Sequence, residues 1–344
     1  MSALIGKGRY LSAAFMAREQ DALWPRVWLL AGAARELAVD GDFFVFELGR
    51  ESILVVQKGG EVRAFFNVCQ HRGNILCADE RGRAEGFRCP YHHWDYALDG
   101  QCRATPGVTQ EPMPRLSSLE CAVRHGLVWV RMTPRRGSSS QSESQSESES
   151  IDEFLAPVAA SLDRLRPEDF ALASERIVEV QANWKTSVDV SNESYHLPAL
   201  HPELVAHVDL AGIRVTLAGP HSEMHIPLRN GGAKHQIYFF PNVQLNFSDD
   251  TMELYRHRPH AALPERMFFD EQSYQRGPPA GPPERRRFRH GEHPLGPVMG
   301  RDVDLLPSLQ RGMRSRGFAG LALTAEESAI ANMHRAIDQY LDSP

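Results

Sequence analysis

The chain has 344 residues, 42% of them hydrophobic and 24% charged, enough apolar material for one large or two ordinary domains and too much for wholesale disorder. A formal net charge of -6 and a pI near 6.2 leave no basic footprint for neutralising a phosphate backbone, so no nucleic-acid partner is expected. No apolar run approaches the ~20 residues of a bilayer-spanning helix and the N-terminus lacks the apolar core of a secretory signal, so no membrane association and a cytoplasmic location are expected.

In chain order, Ser12 to Leu23 has helical periodicity with Ser12 as the N-cap, and Pro25 stops the helix. Short segments rich in Val, Phe and Ile follow at Phe43 to Glu47, Ser52 to Gln57, Val62 to Asn67 and Gly126 to Arg131, separated by Gly or charged turns, which predicts a small antiparallel β domain. The tract 137–150, GSSSQSESQSESES, holds no apolar residue and reads as a disordered linker. Beyond it, Asn183 to His201 and Thr324 to Leu341 read as helices. Arg176 to Gln181, Arg214 to Leu217, Gln236 to Phe240, Val243 to Phe247 and Met252 to Pro259 read as strands, so this half is α+β. The stretch Gly277 to Pro297, rich in Pro and His, reads as a mobile loop long enough for a lid, with the Arg285 to Arg287 cluster as its solvated part.

Within the β half, CQHRG at 69–73 and CPYHHW at 89–94 each offer one thiolate and one imidazole: Cys69 with His71, then Cys89 with His92. A Rieske centre holds one iron by two cysteines and the other by two histidines, and the mixed loops supply that division. A Cys2His2 zinc site has the same residue types but pairs like with like in each loop. Five cysteines, two of them in this pattern, favour metal binding in a reducing compartment over a disulfide framework and leave Cys77, Cys102 and Cys121 as free thiols.

In the α+β half, Asp189, Glu193 and His196 are spaced four and three apart, which puts them on one face of a regular helix. His201 is five further on, about 140° round that helix, so the helix must break for both imidazoles to meet one metal, and Pro198 offers the break. Two histidines and a carboxylate on one face of Fe(II) leave positions open for dioxygen and substrate. Standing alone, the two histidines would equally suit a surface helix end.

These segments resemble the Rieske-type non-haem iron oxygenases, specifically the terminal oxygenase α subunits of the ring-hydroxylating family. CQHRG and CPYHHWDYALDG resemble the two cluster loops, with His93 where the family usually has glycine. NESYHLPALHP at 192–202 resembles the iron-binding helix, and RDVDLLPSLQRGM at 301–313 resembles the segment that carries the third ligand. The closing helix resembles GFAGLALTAEESAIANMHRAIDQYL at 317–341, so the likeness spans all but the low-complexity tracts, with His334 as a structural residue. The resemblance implies an N-terminal segment, 1–38, packing with the catalytic domain; an all-β Rieske [2Fe-2S] domain, 39–136; the linker, 137–150; and a helix-grip-like α+β catalytic domain, 151–344. It implies a [2Fe-2S] cluster on Cys69, His71, Cys89 and His92, and a mononuclear Fe(II) on His196, His201 and Asp302, with Asp304 as the alternative third ligand.

By the same resemblance Glu193 is the carboxylate that carries electrons between subunits, linking His92 of one chain to His196 of the next in a head-to-tail homotrimer. Asn192 or Asp189 could share that hydrogen bonding, and Asp189 is also a candidate partner for the His196 ring. The implied partners are a small-molecule substrate, dioxygen, and an NAD(P)H-dependent flavin/iron-sulfur reductase or ferredoxin. The implied reaction is hydroxylation or oxidative demethylation of an aromatic or alicyclic compound. Glu at the bridging position also resembles enzymes that oxidise quaternary amines, for which Asp209, Glu223 and Glu253 are possible cation partners, or else surface charges. Ile237, Phe239, Val243, Leu245 and Phe247 are candidate pocket residues by family position, or else plain strand core. A Rieske electron-transfer or ligand-binding protein without catalytic iron is the reading of another class.

Overall fold

The computed structural model describes residues 4–108, 112–134, 149–278, 281–292 and 295–343, so 137–148 of the expected linker lie outside the described residues. The chain divides into two compact units, Trp24–Leu155 and Met1–Leu23 together with Ala156–Pro344. The break after Leu23 corrects the expected end of the N-terminal segment at residue 38. Leu29–Ala33 is a strand, buried along its length, that pairs antiparallel with Leu127–Pro134 and so belongs to the β unit. The far boundary also shifts. Ser150 caps the helix Ile151–Leu155, exchanging hydrogen bonds with Glu153, and Phe154 of that helix packs edge-on against Trp129 at 6.1 Å.

In the β unit, Asp42–Leu48, Glu51–Lys58 and Glu61–Phe66 form an antiparallel meander that Arg81–Arg83 extends. Their alternating apolar residues face a core built from Phe43, Leu54, Val56 and Phe65, which also holds Cys69 and Cys89. A second small sheet, Phe87–Arg88, Asp95–Tyr96 and Cys102–Ala104, carries the second Cys/His loop between its first two strands.

The other unit is built on an eight-stranded sheet. Its order is Arg214–Ala218, His221–Pro227, Ala233–Phe239, Val243–Phe247, Thr251–Pro259, Met267–Arg276, Phe170–Val180 and Glu284–Arg289, antiparallel except for the last pair. The strand Glu284–Arg289 lies in the stretch expected to be a mobile loop. It is an edge strand whose Arg residues suit an edge that meets solvent rather than another strand, and Arg285 reaches Glu175 at 3.3 Å. The helices Trp184–Ser191, Pro297–Met313 and Ser328–Asp342 complete the unit. At the N-terminus Ser12 caps Ala13–Arg18 by accepting from Phe15 N, and a π-helical turn, Glu19–Leu23, follows. The α+β class with a small all-β part is therefore the observed one, and among the described residues no helix is long and apolar enough to cross a membrane.

Strand register sorts the sheet's two faces. His257 Nδ1 lies 2.8 Å from Ser187 Oγ, and Gln236 and Gln244 both donate to the Ser191 carbonyl, so these residues mark the face beneath Trp184–Ser191. Ile237, Phe239, Val243, Leu245 and Phe247 have the opposite parity and are buried on the other face, where Phe247 meets Phe170 at 6.0 Å. The alternating run is strand core, the second of its two expected places.

Candidate functional site

The two Cys/His loops fold as the same turn. Cys69 N donates to Asn74 O (2.8 Å) and Gly73 N to Cys69 O (3.0 Å); Cys89 N donates to Trp94 O (2.8 Å) and His93 N to Cys89 O (3.0 Å). The fifth residue of each turn needs a left-handed backbone, φ 72 at Gly73 and φ 59 at His93. His93 thus fills a glycine-type position in the backbone and is exposed. Cys69 and Cys89 are each 2% exposed, while His71 and His92 are exposed with ring centroids 4.7 Å apart. Two buried sulfurs beneath two outward imidazoles are the donor arrangement a [2Fe-2S] cluster with unlike irons requires. Trp94 stacks on His71 at 4.5 Å and 7°, and the Tyr96 hydroxyl sits 3.5 Å from Cys69 Sγ while accepting from Gln70 N. A hydrogen bond to a ligating sulfur raises a cluster's potential, and sequence reasoning missed Tyr96 because it lies seven residues beyond the loop's cysteine.

In the other unit the helix that begins at Trp184, capped by Asn183, ends at Ser191. The expected break is present but comes earlier than expected, at Asn192 rather than at Pro198, which instead opens the short helix Leu197–Leu200. Glu193 and His196 therefore lie in the connecting turn. The turn brings His196 Nε2 within 3.8 Å and His201 Nε2 within 2.7 Å of Asp302 Oδ1, and one donor atom from each residue lies within 4.8 Å of the others. Asp302 comes from the helix Pro297–Met313. Its neighbour Arg301 donates to Leu200 O and to both Glu203 oxygens, tying that helix to the His201 segment. Farther along, Gln310 accepts from Asn183 N at 2.8 Å and Thr186 Oγ1 at 3.2 Å. These latches were not legible in sequence, since each joins residues about a hundred or more apart. Asp304 projects away, its side chain 56% exposed and 3.9 Å from His290.

The electrostatics of the three residues call for a cation. Burial raises the Asp302 carboxyl above its ordinary range against the pull of the His201 bond. Burial alone would depress His196, but the Glu193 bond and charge, with Asp302, carry it upward. The His201 side chain is 0% exposed, and its Nδ1 has no hydrogen-bond partner among the described residues. Two imidazoles and one carboxylate converging from one side fit a divalent metal with open positions, the donor set of non-haem Fe(II) sites.

Glu193 Oε1 lies 2.5 Å from His196 Nδ1, and Oε2 accepts from the Tyr195 and His196 backbone N–H groups. The carboxylate expected beside His196 as a supporting group, Asp189, is elsewhere: it accepts from the Tyr10 hydroxyl at 2.7 Å and lies 3.3 Å from His334 Nε2. Burial explains this correction, because Asp189 points from the helix toward Ser328–Asp342 and the N-terminal segment. Asp189 and Glu193 both line a cavity of ≈ 410 Å³ whose other walls include Val190, Leu309, Met313 and Phe318.

Comparison with known proteins adds family evidence. Residues 27–122 match the Rieske [2Fe-2S] domain, and 167–239 with 218–343 match the ring hydroxylating alpha subunit (catalytic domain). The chain is 24% identical over 364 residues to the carnitine monooxygenase oxygenase subunit of Escherichia coli K12, covering 93% of this chain and 89% of that one. It is 29% identical over 192 residues to the glycine betaine monooxygenase oxygenase subunit of Pseudomonas aeruginosa, a match that spans 54% of this chain and only 42% of that protein. A crystal structure of a quaternary ammonium Rieske monooxygenase, described for carnitine oxidation and inter-subunit electron transfer, superposes with TM-score 0.80 at 21% identity, covering 98% and 95% of the two chains.

Proposed function

The chain belongs to the Rieske-type ring-hydroxylating oxygenase α-subunit family, and from that membership we propose that it is a terminal oxygenase that takes electrons from a reductase and inserts oxygen from O2 into a small organic substrate. The observation that carries the proposal is the convergence of His196, His201 and Asp302 in a unit of this family. Cys69, His71, Cys89 and His92 would hold the [2Fe-2S] cluster; His196, His201 and Asp302 would hold the iron. When bound, the cluster supplies single-electron transfer and the iron supplies dioxygen reduction.

The chain's own residues prepare that chemistry. Glu193 Oε1 accepts a hydrogen bond from His196 Nδ1–H, which fixes the tautomer and leaves Nε2 directed toward Asp302. Arg301 and Gln310 hold the two helices in the register that brings Asp302 to His201. In a head-to-tail homotrimer Glu193 would take up His92 of the neighbouring chain, as inter-subunit electron transfer in the carnitine-oxidising relative suggests. A flavin/iron-sulfur reductase or ferredoxin would supply the electrons.

Two readings of the substrate remain, an aromatic or alicyclic compound and a quaternary amine undergoing N-demethylation or C–N cleavage. The likeness to glycine betaine and carnitine monooxygenase oxygenase subunits favours the second, as does this chain's own Glu193. The test is turnover under 18O2 with a surrogate reductase and NADH, scored for label in product from carnitine, glycine betaine and naphthalene. Label in a product supports the oxygenase; reduction of the cluster by the surrogate with no labelled product from any of the three and no substrate-stimulated oxygen uptake contradicts it.

A further inference from the structure

The sheet face beneath Trp184–Ser191 is unusually polar for an interior surface. Register places Glu253 across from Asn246 and Ser273, Tyr255 across from Gln244 and Glu271, and His257 across from Phe269, all on one face. Glu271 is paired with Arg176 at 2.8 Å, whereas Glu253 accepts from Ser273 Oγ at 3.0 Å and feels the Arg176 and Lys234 charges without an ion pair to either among the described residues. The rings of Tyr255 and Phe269 lie 5.6 Å apart beside the two carboxylates. Two further side chains here are incomplete. Among the described residues Gln244, 0% exposed, spends its amide N–H on Ser191 O and leaves Oε1 without a hydrogen-bond partner, and His257, also 0% exposed, is bonded at Nδ1 and not at Nε2. An unpartnered buried polar atom is destabilising, so such a cluster persists where a guest or water completes it. The face is also tied to the metal triad, because the helix Trp184–Ser191 packs against both the strand Thr251–Pro259 and the helix Pro297–Met313 that carries Asp302.

We propose that Glu253, Tyr255 and Phe269 form the substrate subsite for a cationic, quaternary-ammonium-type headgroup, with Gln244 and His257 bonding the polar remainder of the molecule. The proposal rests on the oxygenase reading and names its substrate class. The chemistry is that of an aromatic-lined cation site: ring faces attract a desolvated cation, and one carboxylate without an ion pair among the described residues supplies the balancing charge. A quaternary ammonium has no N–H to donate, so it needs this combination rather than a fork of hydrogen-bond acceptors.

The test is calorimetric titration of the anaerobic, oxidised full-length protein with choline and with its neutral isostere 3,3-dimethylbutan-1-ol, on samples assayed for iron and sulfide. Choline is expected to bind at least tenfold more tightly than the isostere. Glu253→Gln should remove about tenfold of the choline affinity and leave the isostere unchanged, and Tyr255→Leu should weaken choline several-fold while the carboxylate remains. Thermal melts establish that each variant is folded, and either folded variant suffices. Equal binding of the two ligands, choline affinity untouched in a folded variant, or no choline binding by protein that carries its full iron and sulfide overturns the subsite and leaves the oxygenase reading standing. Protein without iron or sulfide after reconstitution fails the oxygenase reading instead, and its choline titration still decides the subsite.

Discussion

Asp302 Oδ1 lies 2.7 Å from His201 Nε2 although the two residues are 101 positions apart, and His196 Nε2 approaches the same oxygen at 3.8 Å. A carboxylate held by burial against two imidazoles is stabilised by a divalent metal more than by either ring. Asp302→Ala should therefore lower iron by about one per chain while sulfide and the reduced-cluster EPR signal stay unchanged. Metal analysis of the variant checks this; loss of sulfide together with iron would contradict it.

Glu193 touches His196 through its side chain and through two backbone N–H groups of the same turn. Glu193→Gln keeps the shape and removes the charge, so the iron site should remain while NADH-driven turnover falls by about 10–100-fold. Stopped-flow reoxidation of the reduced cluster in the presence of O2 should slow in parallel, and reoxidation at the wild-type rate would refute a role for Glu193 between the two centres.

Lys185 and Glu19 form a buried pair at 2.6 Å with side chains 0% and 2% exposed, and Lys185 Nζ also sits over the Trp184 and Phe15 rings. Removing one partner strands a buried charge, at a cost of about 3–5 kcal/mol, whereas replacing both by apolar residues of similar size is close to neutral. Lys185→Met alone should lower the melting temperature sharply, and adding Glu19→Leu should recover most of the loss. A double variant no better than the single would contradict the assignment of this pair as a closed structural unit.

Glu253 carries a pH signature. Burial, aided by the Glu271 charge, pushes its carboxyl from 4.5 up to about 7. The folded form then holds its proton after the unfolded chain has released it, so stability falls as pH rises from 4.5 toward 7 and levels off above. Glu253→Gln removes that slope, and between pH 5 and pH 8 the wild type should lose about 2 kcal/mol more than the variant. Chemical denaturation at the two pH values measures it; equal losses would place Glu253 in ordinary solvent.

The sequence made the local chemistry legible and the long-range geometry much less so. The Cys/His loops are short turns whose ligands lie within a few residues, so spacing alone separated Cys69 with His71 from Cys89 with His92. The strand Val243–Phe247 likewise followed from period-two alternation. Alternation could not say which face was which, and Ile237 and Leu245 went to the core side because register is fixed across strands, not along them. The helix through Glu193 was overextended because its periodicity continues past Asn192, where the backbone instead turns to gather His196 and His201. Asp189 was misplaced for a related reason: its partners, Tyr10 and His334, are 179 and 145 positions away. The strand Glu284–Arg289 was hidden by flanking Pro and Gly and by side chains that suit an exposed edge.

A single chain is expected to carry both a Rieske cluster and a separate mononuclear iron. The most direct test is iron and acid-labile sulfide per chain in anaerobically purified protein, with EPR of the reduced cluster, for the wild type and His196→Ala. About three irons and two sulfides are expected for the wild type, and about two irons with the cluster signal intact for the variant. Wild-type protein that holds only the cluster after iron reconstitution, or zinc without sulfide, would contradict it.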